Sequence, residues 1–358
     1  MYLKKFILSC GLNLSLFFSL VAHAEDKLIF AIDIIRHGDR TPTDDIPNSP
    51  YTWPQGLGQL TAQGMQQEYQ LGLAMHKRYI EQNHLLPKHY FATTMYVRSS
   101  DFNRTLMSAQ SLLLGLYPLG SGPNLPGSEQ SALPGNYQPI AIMSVRAATE
   151  DLLLPTSNEK AFQAAETKYV YSQKAWLQKQ ASLKNKLAKW QQLTGCHMTK
   201  LQSVIVLGDN LFIRKLHHIP LPAGINDETA DEIIAAGQWA MVNRFKPREV
   251  GEEASRQLLA RISKELTNAS LQKSDLKYIL FSGHDTTLLA VMSALQNPLT
   301  EQPRYASNLN FSLYQNEKNY FVKVTFNDKP VQIPGCGSVC TLTQFNKVMR
   351  AEKTNSLE

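Results

Sequence analysis

The chain has 358 residues, of which 43% are hydrophobic and 18% are charged. This composition is typical of a globular protein and excludes a disordered or collagen-like chain. With 36 lysines and arginines against 30 aspartates and glutamates, the formal net charge is +6 at pH 7. The basic residues are spread along the chain and form no polybasic arm, so the charge predicts no nucleic-acid partner.

The first 24 residues have the pattern of a secretory signal peptide. Lys4 and Lys5 precede an apolar stretch over 6–22, and a small-x-small cleavage site ends at Ala24. An uncleaved membrane anchor would need a longer apolar run, and a lipidation site at Cys10 is disfavoured because the run continues past it. We therefore expect cleavage after Ala24, no membrane attachment afterwards, and a periplasmic or secreted protein.

The first part of the mature chain alternates between strand and helix patterns. Residues 28–35 form the near-continuous apolar run of a buried parallel strand, and 93–97 form a second, short strand. Apolar residues recur at helical spacing over 61–83, where Thr61 is a suitable N-cap, and again over 102–116.

The middle of the chain has a different composition. Residues 117–139 hold five prolines and four glycines, which excludes a helix or a central strand and predicts a linker. The segments 149–194 and 228–245 are mainly helical by composition.

The last part returns to alternation. It predicts helices over 249–268 and 286–295, a strand over 277–282, and a strand pair over 308–314 and 320–326. Strands alternating with helices predict an α/β fold, with a mostly parallel sheet flanked by helices in three layers and the last strand pair as an antiparallel edge.

The change in composition also predicts the domain organisation. A discontinuous catalytic core over 25–118 and 245–358 would carry an inserted, mainly helical cap over 119–244 that serves substrate specificity. Cys336 and Cys340 are spaced to form a disulfide in an oxidising compartment; the alternative, a metal or redox site, lacks a second cysteine or histidine pair. Cys196 has no partner and is expected to be buried.

Charged residues follow three of the predicted strands. They are Arg36, His37, Asp39 and Arg40 after the first strand, Arg98, Asp101 and Arg104 at the end of the second, and His284 and Asp285 after the third. In an open parallel sheet, ligands bind beyond the carboxyl ends of the strands, so these groups are predicted to face one crevice. Guanidinium groups repel one another, so such a cluster indicates a bound anion such as phosphate or carboxylate.

The motifs resemble those of a known family. RHGDRTP over 36–42 and a later HD pair are typical of the histidine acid phosphatases, the branch of the histidine phosphatase superfamily that includes phytases. Four further segments are similar to the prostatic and lysosomal acid phosphatases in particular: WPQGLGQLT over 53–61, YVRSSD over 96–101, RTLMSA over 104–109 and PGC over 334–336. The resemblance covers nearly the whole core, thins through the cap, and implies a phosphoglycerate-mutase-like core.

The resemblance also implies catalytic roles. His37 would be the nucleophile that forms a phosphohistidine, and Asp285 would be the proton donor to the leaving group. The phosphoryl oxygens would be bound by Arg36, Arg40, Arg98 and His284. Asp39, Asp101 and Arg104 would lie behind them and orient the arginines. An acid that must hold its proton during turnover predicts an acidic pH optimum.

The resulting prediction is a secreted, metal-independent acid phosphatase that acts on small-molecule phosphate monoesters without a cofactor. The alternatives are a phytase-type inositol phosphate phosphatase and, as a protein without turnover, a periplasmic anion-binding protein. The family resemblance is compatible with a homodimer. No metalloprotease helix, phosphate-binding P-loop or dinucleotide fingerprint occurs in the sequence.

Overall fold

The computed structural model describes residues 26–154 and 160–351. The predicted signal peptide lies outside the described residues. Within them, no helix is both long and apolar enough to cross a lipid bilayer.

The described residues form one mixed sheet of seven strands. The strands are β1 (Lys27–Arg36), β2 (Met95–Ser99), β3 (Tyr278–Gly283), β4 (Asn308–Asn316), β5 (Asn319–Phe326), β6 (Lys329–Pro330) and β7 (Val339–Thr341). Their order is β2-β3-β1-β4-β5-β6, and β7 also pairs with β5.

The α/β fold is confirmed, but the sheet is less parallel than predicted. Only β2, β3 and β1 run parallel, whereas β4 to β7 pair antiparallel. The predicted edge hairpin is therefore the start of an antiparallel half. The two-residue turn between β4 and β5 forces neighbouring strands to run in opposite directions, and β4 continues this pattern against β1.

Helices cover both faces of the sheet. They are α1 (Ala62–His76), α2 (Asn103–Leu116), α3 (Lys160–Glu166), α4 (Lys174–Thr194), α5 (Val204–Leu216), α6 (Asp227–Phe245), α7 (Arg248–Ser270), α8 (Asp285–Ala294) and α9 (Leu342–Ala351). The predicted N-cap is confirmed, because the Thr61 side chain accepts a hydrogen bond from the backbone N–H of Gly64.

The strand alternation explains the three layers. Ile32 and Ile34 of β1 point to one face, where they pack with α7, α8 and α9. Ala31 and Ile35 point to the other face, where they pack with α1 and α2. Apolar side chains on both faces are the reason that this strand reads as an almost unbroken hydrophobic run.

A separate hydrophobic cluster lies in the middle of the chain. It is built from α3, α4, α5 and α6 and reaches Leu289 and Ala290 of α8. The segment 117–139 contains one short 3₁₀ turn, Pro134–Asn136, in agreement with its proline and glycine content. Helix α5 lies between the two segments predicted to be helical. The boundaries of core and cap stay a prediction.

The Cys336–Cys340 pairing is confirmed, whereas Cys196 is less buried than predicted. Cys336 and Cys340 form a disulfide that links β7 to the preceding turn. Cys196 is a free thiol and is only half-buried, packed against the cap cluster.

Candidate active site

Three strand ends meet at one edge of the sheet. The N–H of His37, directly after β1, donates to the carbonyl of Gly283 at the end of β3 over 3.1 Å. The N–H of Ser100, directly after β2, donates to the carbonyl of Ser282 over 3.1 Å. The parallel pairing of β1, β3 and β2 therefore brings the RHGDR segment, the RSSD segment and His284 together, as the sequence predicts.

His37 is held in one orientation. Its side chain is buried, with 2% of the residue exposed, and its Nδ1 lies 2.8 Å from the carbonyl oxygen of Gly38. A carbonyl can only accept, so Nδ1 carries the hydrogen and Nε2 has a free lone pair. Burial, and after it the charges of Arg36 and Arg40, holds the pKa of His37 well below its usual range. The imidazole is thus neutral and can act as a nucleophile.

Gly38 allows the loop to lie directly on α1. A Cβ at this position would collide with the backbone of Gly64 in the first turn of the helix. The N–H of Gly38 donates to Ser108 Oγ of α2 over 3.1 Å. The residue next to the imidazole is therefore anchored by two helices.

His284 lies beside His37, with the ring centroids 5.5 Å apart and the rings nearly perpendicular. Its Nε2 is 2.8 Å from Ser100 Oγ, which itself lies 2.9 Å from Thr105 Oγ1. Burial and the nearby cation of Arg104 lower the pKa of His284 to about 3. His284 is accordingly a neutral hydrogen-bonding group.

Asp285 is the first residue of α8. Its Oδ1 accepts from the Thr286 N–H over 2.7 Å, and its Oδ2 accepts from Gln302 Nε2 over 2.6 Å and lies 3.1 Å from the Arg36 guanidinium. Burial raises the pKa of Asp285, but Arg36 and the Gln302 hydrogen bond outweigh it and bring the pKa to about 2. The carboxyl group is ionised in this structure.

Arg36 and Arg40 are each tied to a carboxylate. Besides Asp285, the Arg36 guanidinium contacts the Pro303 carbonyl and stacks on the Tyr305 ring, 4.3 Å from its centroid. Arg40 donates from both terminal nitrogens to the Asp209 carboxylate of α5, over 2.9 and 3.1 Å. Asp209 was not predicted as a site residue.

Arg98 does not join this group. Its guanidinium lies 2.8 Å from the buried Glu150 carboxylate and 3.6 Å from Asp151. Glu150 also accepts from the N–H groups of Leu152 and Leu153. Arg98 therefore anchors the segment after the linker instead of facing the crevice.

Arg104 occupies the position that Arg98 was expected to take. It is the second residue of α2, and its charge lowers the pKa of both His37 and His284. Burial, with the cation of Arg40 next, lowers its own pKa to about 10. The sequence contained a signal for this position, since Arg104 follows the same strand by one helical turn.

Asp39 and Asp101 are not placed in the predicted role of orienting the arginines. Asp39 is fully buried; its Oδ2 accepts from Thr61 Oγ1 over 2.5 Å and lies 2.9 Å from His217 Nε2. It therefore joins the loop after β1 to α1 and to the end of α5, and no hydrogen bond to an arginine is found for it in the described part of the chain. Asp101 is exposed.

A cavity of about 760 Å³ opens beside these groups. Arg36, Arg40 and Asp285 line one side, next to His37, His284 and Arg104, which do not line it. The opposite side is formed by α5 and α6 of the predicted cap, and Gln302, Arg304 and Tyr305 complete the rim. No cluster of three metal-ligating side chains occurs within 26–154 and 160–351.

Known proteins are similar to this chain in sequence or in fold. The family described as histidine phosphatase superfamily, branch 2, matches residues 27–211 and 242–327. The human lysosomal acid phosphatase is 34% identical over 338 residues, covering 89% of this chain and 76% of that protein. The human prostatic acid phosphatase is 30% identical over 357 residues, covering 96% and 90%.

Solved structures agree on the fold. A Klebsiella phytase has a TM-score of 0.65 at 17% identity, covering 90% of this chain and 94% of that one. A Hafnia alvei phytase has a TM-score of 0.64 at 17% identity, covering 92% and 97%. At this level of identity the likeness demonstrates a common architecture and says nothing about the substrate.

Proposed function

Because the chain belongs to branch 2 of the histidine phosphatase superfamily, we propose that it is an acid phosphatase that hydrolyses phosphate monoesters through a phosphohistidine on His37. One observation carries the proposal. The only polar contact that orients the His37 imidazole uses Nδ1, among the residues that the structure describes, so Nε2 is left for attack.

Three buried arginine nitrogens support phosphoryl binding next to this imidazole. The Nε atoms of Arg36, Arg40 and Arg104 are buried and have no hydrogen-bond partner within the described residues. A buried donor without a partner costs free energy, so such donors indicate a ligand that accepts from them. Arg98 also has an unpaired Nε, but its guanidinium is committed to Glu150. We therefore assign the third phosphate-binding position to Arg104.

The proposed reaction has two steps. Nε2 of His37 attacks phosphorus, the bond between phosphorus and the alcohol oxygen breaks, and Asp285 gives its proton to that oxygen. In the second step the Asp285 carboxylate takes a proton from water, the water oxygen attacks phosphorus, and the bond to Nε2 breaks. Both His37 and the protonated Asp285 are restored.

The charge balance explains how Asp285 gains its proton. Three cations, Arg36, Arg40 and Arg104, are accompanied by two carboxylates, Asp209 and Asp285. A phosphate dianion adds two negative charges and occupies the arginines that hold the pKa of Asp285 at about 2, so binding raises that pKa. The active complex carries the proton at acidic pH and loses it as the pH rises, and the activity therefore falls toward alkaline pH.

The alternatives are less well supported. A phytase substrate carries several phosphates, but the cavity lining contains only one arginine or lysine besides Arg36 and Arg40, namely Arg304, within the described residues. A binding protein without turnover has no use for a neutral imidazole between arginines or for an acid at Asp285.

The proposed location is the periplasm or the exterior of the cell. It is supported by the signal-peptide pattern of the first 24 residues and by the Cys336–Cys340 disulfide, which suits an oxidising compartment.

Release of phosphate from p-nitrophenyl phosphate in EDTA, across pH 4–8, tests the activity. The expected result is metal-independent turnover that is greatest at acidic pH. A reaction with ³²P-labelled substrate that is quenched rapidly without acid should contain an acid-labile phosphoryl adduct on His37. The His37→Ala variant should form no such adduct. An adduct on a serine or aspartate, or binding of phosphate without turnover, would overturn the proposal.

A further inference from the structure

The cap side of the cavity is an apolar wall. We use this name for Ile205, Val206, Phe212 and Leu216 of α5 together with Met241 of α6, all of which line the cavity. Three of them are unusually exposed for large apolar residues: Val206 at 45%, Phe212 at 37% and Leu216 at 38%. Large apolar side chains that are exposed and line the same cavity indicate a binding site. Apolar residues scattered singly over a surface do not form such a common lining.

The residue spacing along α5 places the side chains of the wall on the same helix face as Asp209. Val206, Asp209, Phe212 and Leu216 are separated by three, three and four residues, so they lie along one face of the helix. Asp209 on this face holds Arg40, which lies on the phosphate-binding side. A monoester whose phosphoryl group reaches Arg40 therefore presents its alcohol portion to the apolar side chains on either side of Asp209.

Part of the apolar wall lies outside the family match. The family match ends at residue 211 and resumes at 242, and Phe212, Leu216 and Met241 all lie in the interval that it does not cover. The family match by itself therefore does not indicate what this part of the cavity binds.

We propose that the apolar wall is a leaving-group subsite that selects monophosphate esters of apolar alcohols, with an alkyl or aryl body. This inference rests on the proposed phosphatase activity. Asp209 is the only charged residue of α5 and α6 that lines the cavity, and its carboxylate is paired with Arg40, so this side offers no cation to a second phosphate on the substrate. Inositol polyphosphates are consequently poor substrates.

A series of n-alkyl phosphates tests the proposal, because methyl, butyl and hexyl phosphate have nearly the same leaving group and differ in apolar length. Burial of each methylene should raise kcat/KM about two- to fourfold until the wall is covered. Inositol hexakisphosphate should have a lower kcat/KM than hexyl phosphate.

Variants of the wall then localise the effect. Phe212→Ala should lower the hexyl-to-methyl ratio of kcat/KM about five- to tenfold, and Leu216→Ala should lower it by less. Phe91→Ala is the matched control, because Phe91 is a highly exposed phenylalanine that does not line the cavity, and it should leave the ratio unchanged.

The outcomes separate the two proposals. If no ester releases phosphate, the proposed activity fails. If all esters are hydrolysed with the same kcat/KM, or if Phe212→Ala and Leu216→Ala both leave the hexyl-to-methyl ratio unchanged, the activity stands and the leaving-group subsite is wrong.

Discussion

The two sides of the cavity differ in how their side chains are held. On the core side, Arg36, Arg40 and Asp285 are buried and each is fixed by hydrogen bonds or ion pairs. On the cap side, Val206 and Phe212 are partly exposed apolar groups without such constraints. Preorganised charges suit chemistry, whereas an adaptable apolar surface suits the binding of varied alcohols. The comparison supports the proposal that the reaction takes place at the sheet edge and that α5 and α6 select the substrate.

The largest expected effect is on the core side. Asp285→Asn removes the proposed proton donor and should lower kcat for an alkyl phosphate about 10²- to 10⁴-fold. Turnover of p-nitrophenyl phosphate should fall much less, because nitrophenolate leaves without a proton. Steady-state kinetics on both substrates measure the difference, and equal losses would contradict the assignment.

The next effect distinguishes two arginines that the sequence presents alike. Arg104→Ala should lower kcat/KM about 10- to 100-fold through loss of a charge-assisted contact, with little change in melting temperature. Arg98→Ala should leave kcat/KM within about threefold but destabilise the protein by about 1–3 kcal/mol, since the buried Glu150 carboxylate loses its partner. Kinetics and thermal unfolding of both variants measure the two effects. The reverse pattern would restore Arg98 as the phosphate-binding residue.

A smaller effect is expected where the two sides meet. Asp209→Asn removes one negative charge and so raises the net charge of the site by one. Inorganic phosphate should therefore inhibit about three- to tenfold more tightly. The same charge disfavours the protonated form of Asp285, and the alkaline limb of kcat should move about half a pH unit lower. Inhibition constants and pH profiles measure both shifts. Asp231→Asn, which removes a carboxylate paired with Lys215 on the cap surface, is the control and should change neither.

The smallest effect concerns stability behind the catalytic loop. Glu68 of α1 is fully buried, and no ion pair to its carboxylate is found in the described part of the chain. Burial raises its pKa well above the usual range, so the folded state keeps the proton while the unfolded state loses it above about pH 4.5. The contribution of the protonated Glu68 to the free energy of unfolding is therefore largest at low pH, and it decreases as the pH rises toward the raised pKa.

Glu68→Gln removes this pH dependence. As the pH rises from 5 to 7, the free energy of unfolding of the variant should increase by about 1–2 kcal/mol relative to that of the parent protein. Denaturant unfolding at the two pH values measures the gain. The exposed Glu81→Gln serves for comparison and should stay within about 0.5 kcal/mol at both. A gain of equal size at pH 4 would mean that ionisation of Glu68 is not the cause.

Local patterns in the sequence were sufficient for β1, β3, β4 and β5 and for the helices α1, α2, α7 and α8, but no pattern indicated β6, β7 or α9. The apolar run of β1, the cap at Thr61 and the helical spacing of α2 depend on neighbouring residues, and all three agree with the structure. The meeting of His37, His284 and Asp285 was also predictable, because parallel strands end at one edge of a sheet. The choice between Arg98 and Arg104 was not predictable, because it depends on which of them forms an ion pair with Glu150, about fifty residues away in the chain.

The residues that the sequence did not reveal come from segments remote in the chain. Asp209, Gln302 and Tyr305 carry no motif of their own, and neither does His217, which lies against Asp39. Their roles arise only after folding places α5 and the segment before β4 beside the first strand. The identity of the reacting groups is thus a property of short motifs and strand ends, whose geometry is local. Which charges neighbour them, and what surface the substrate meets, depends on long-range packing that no local pattern encodes.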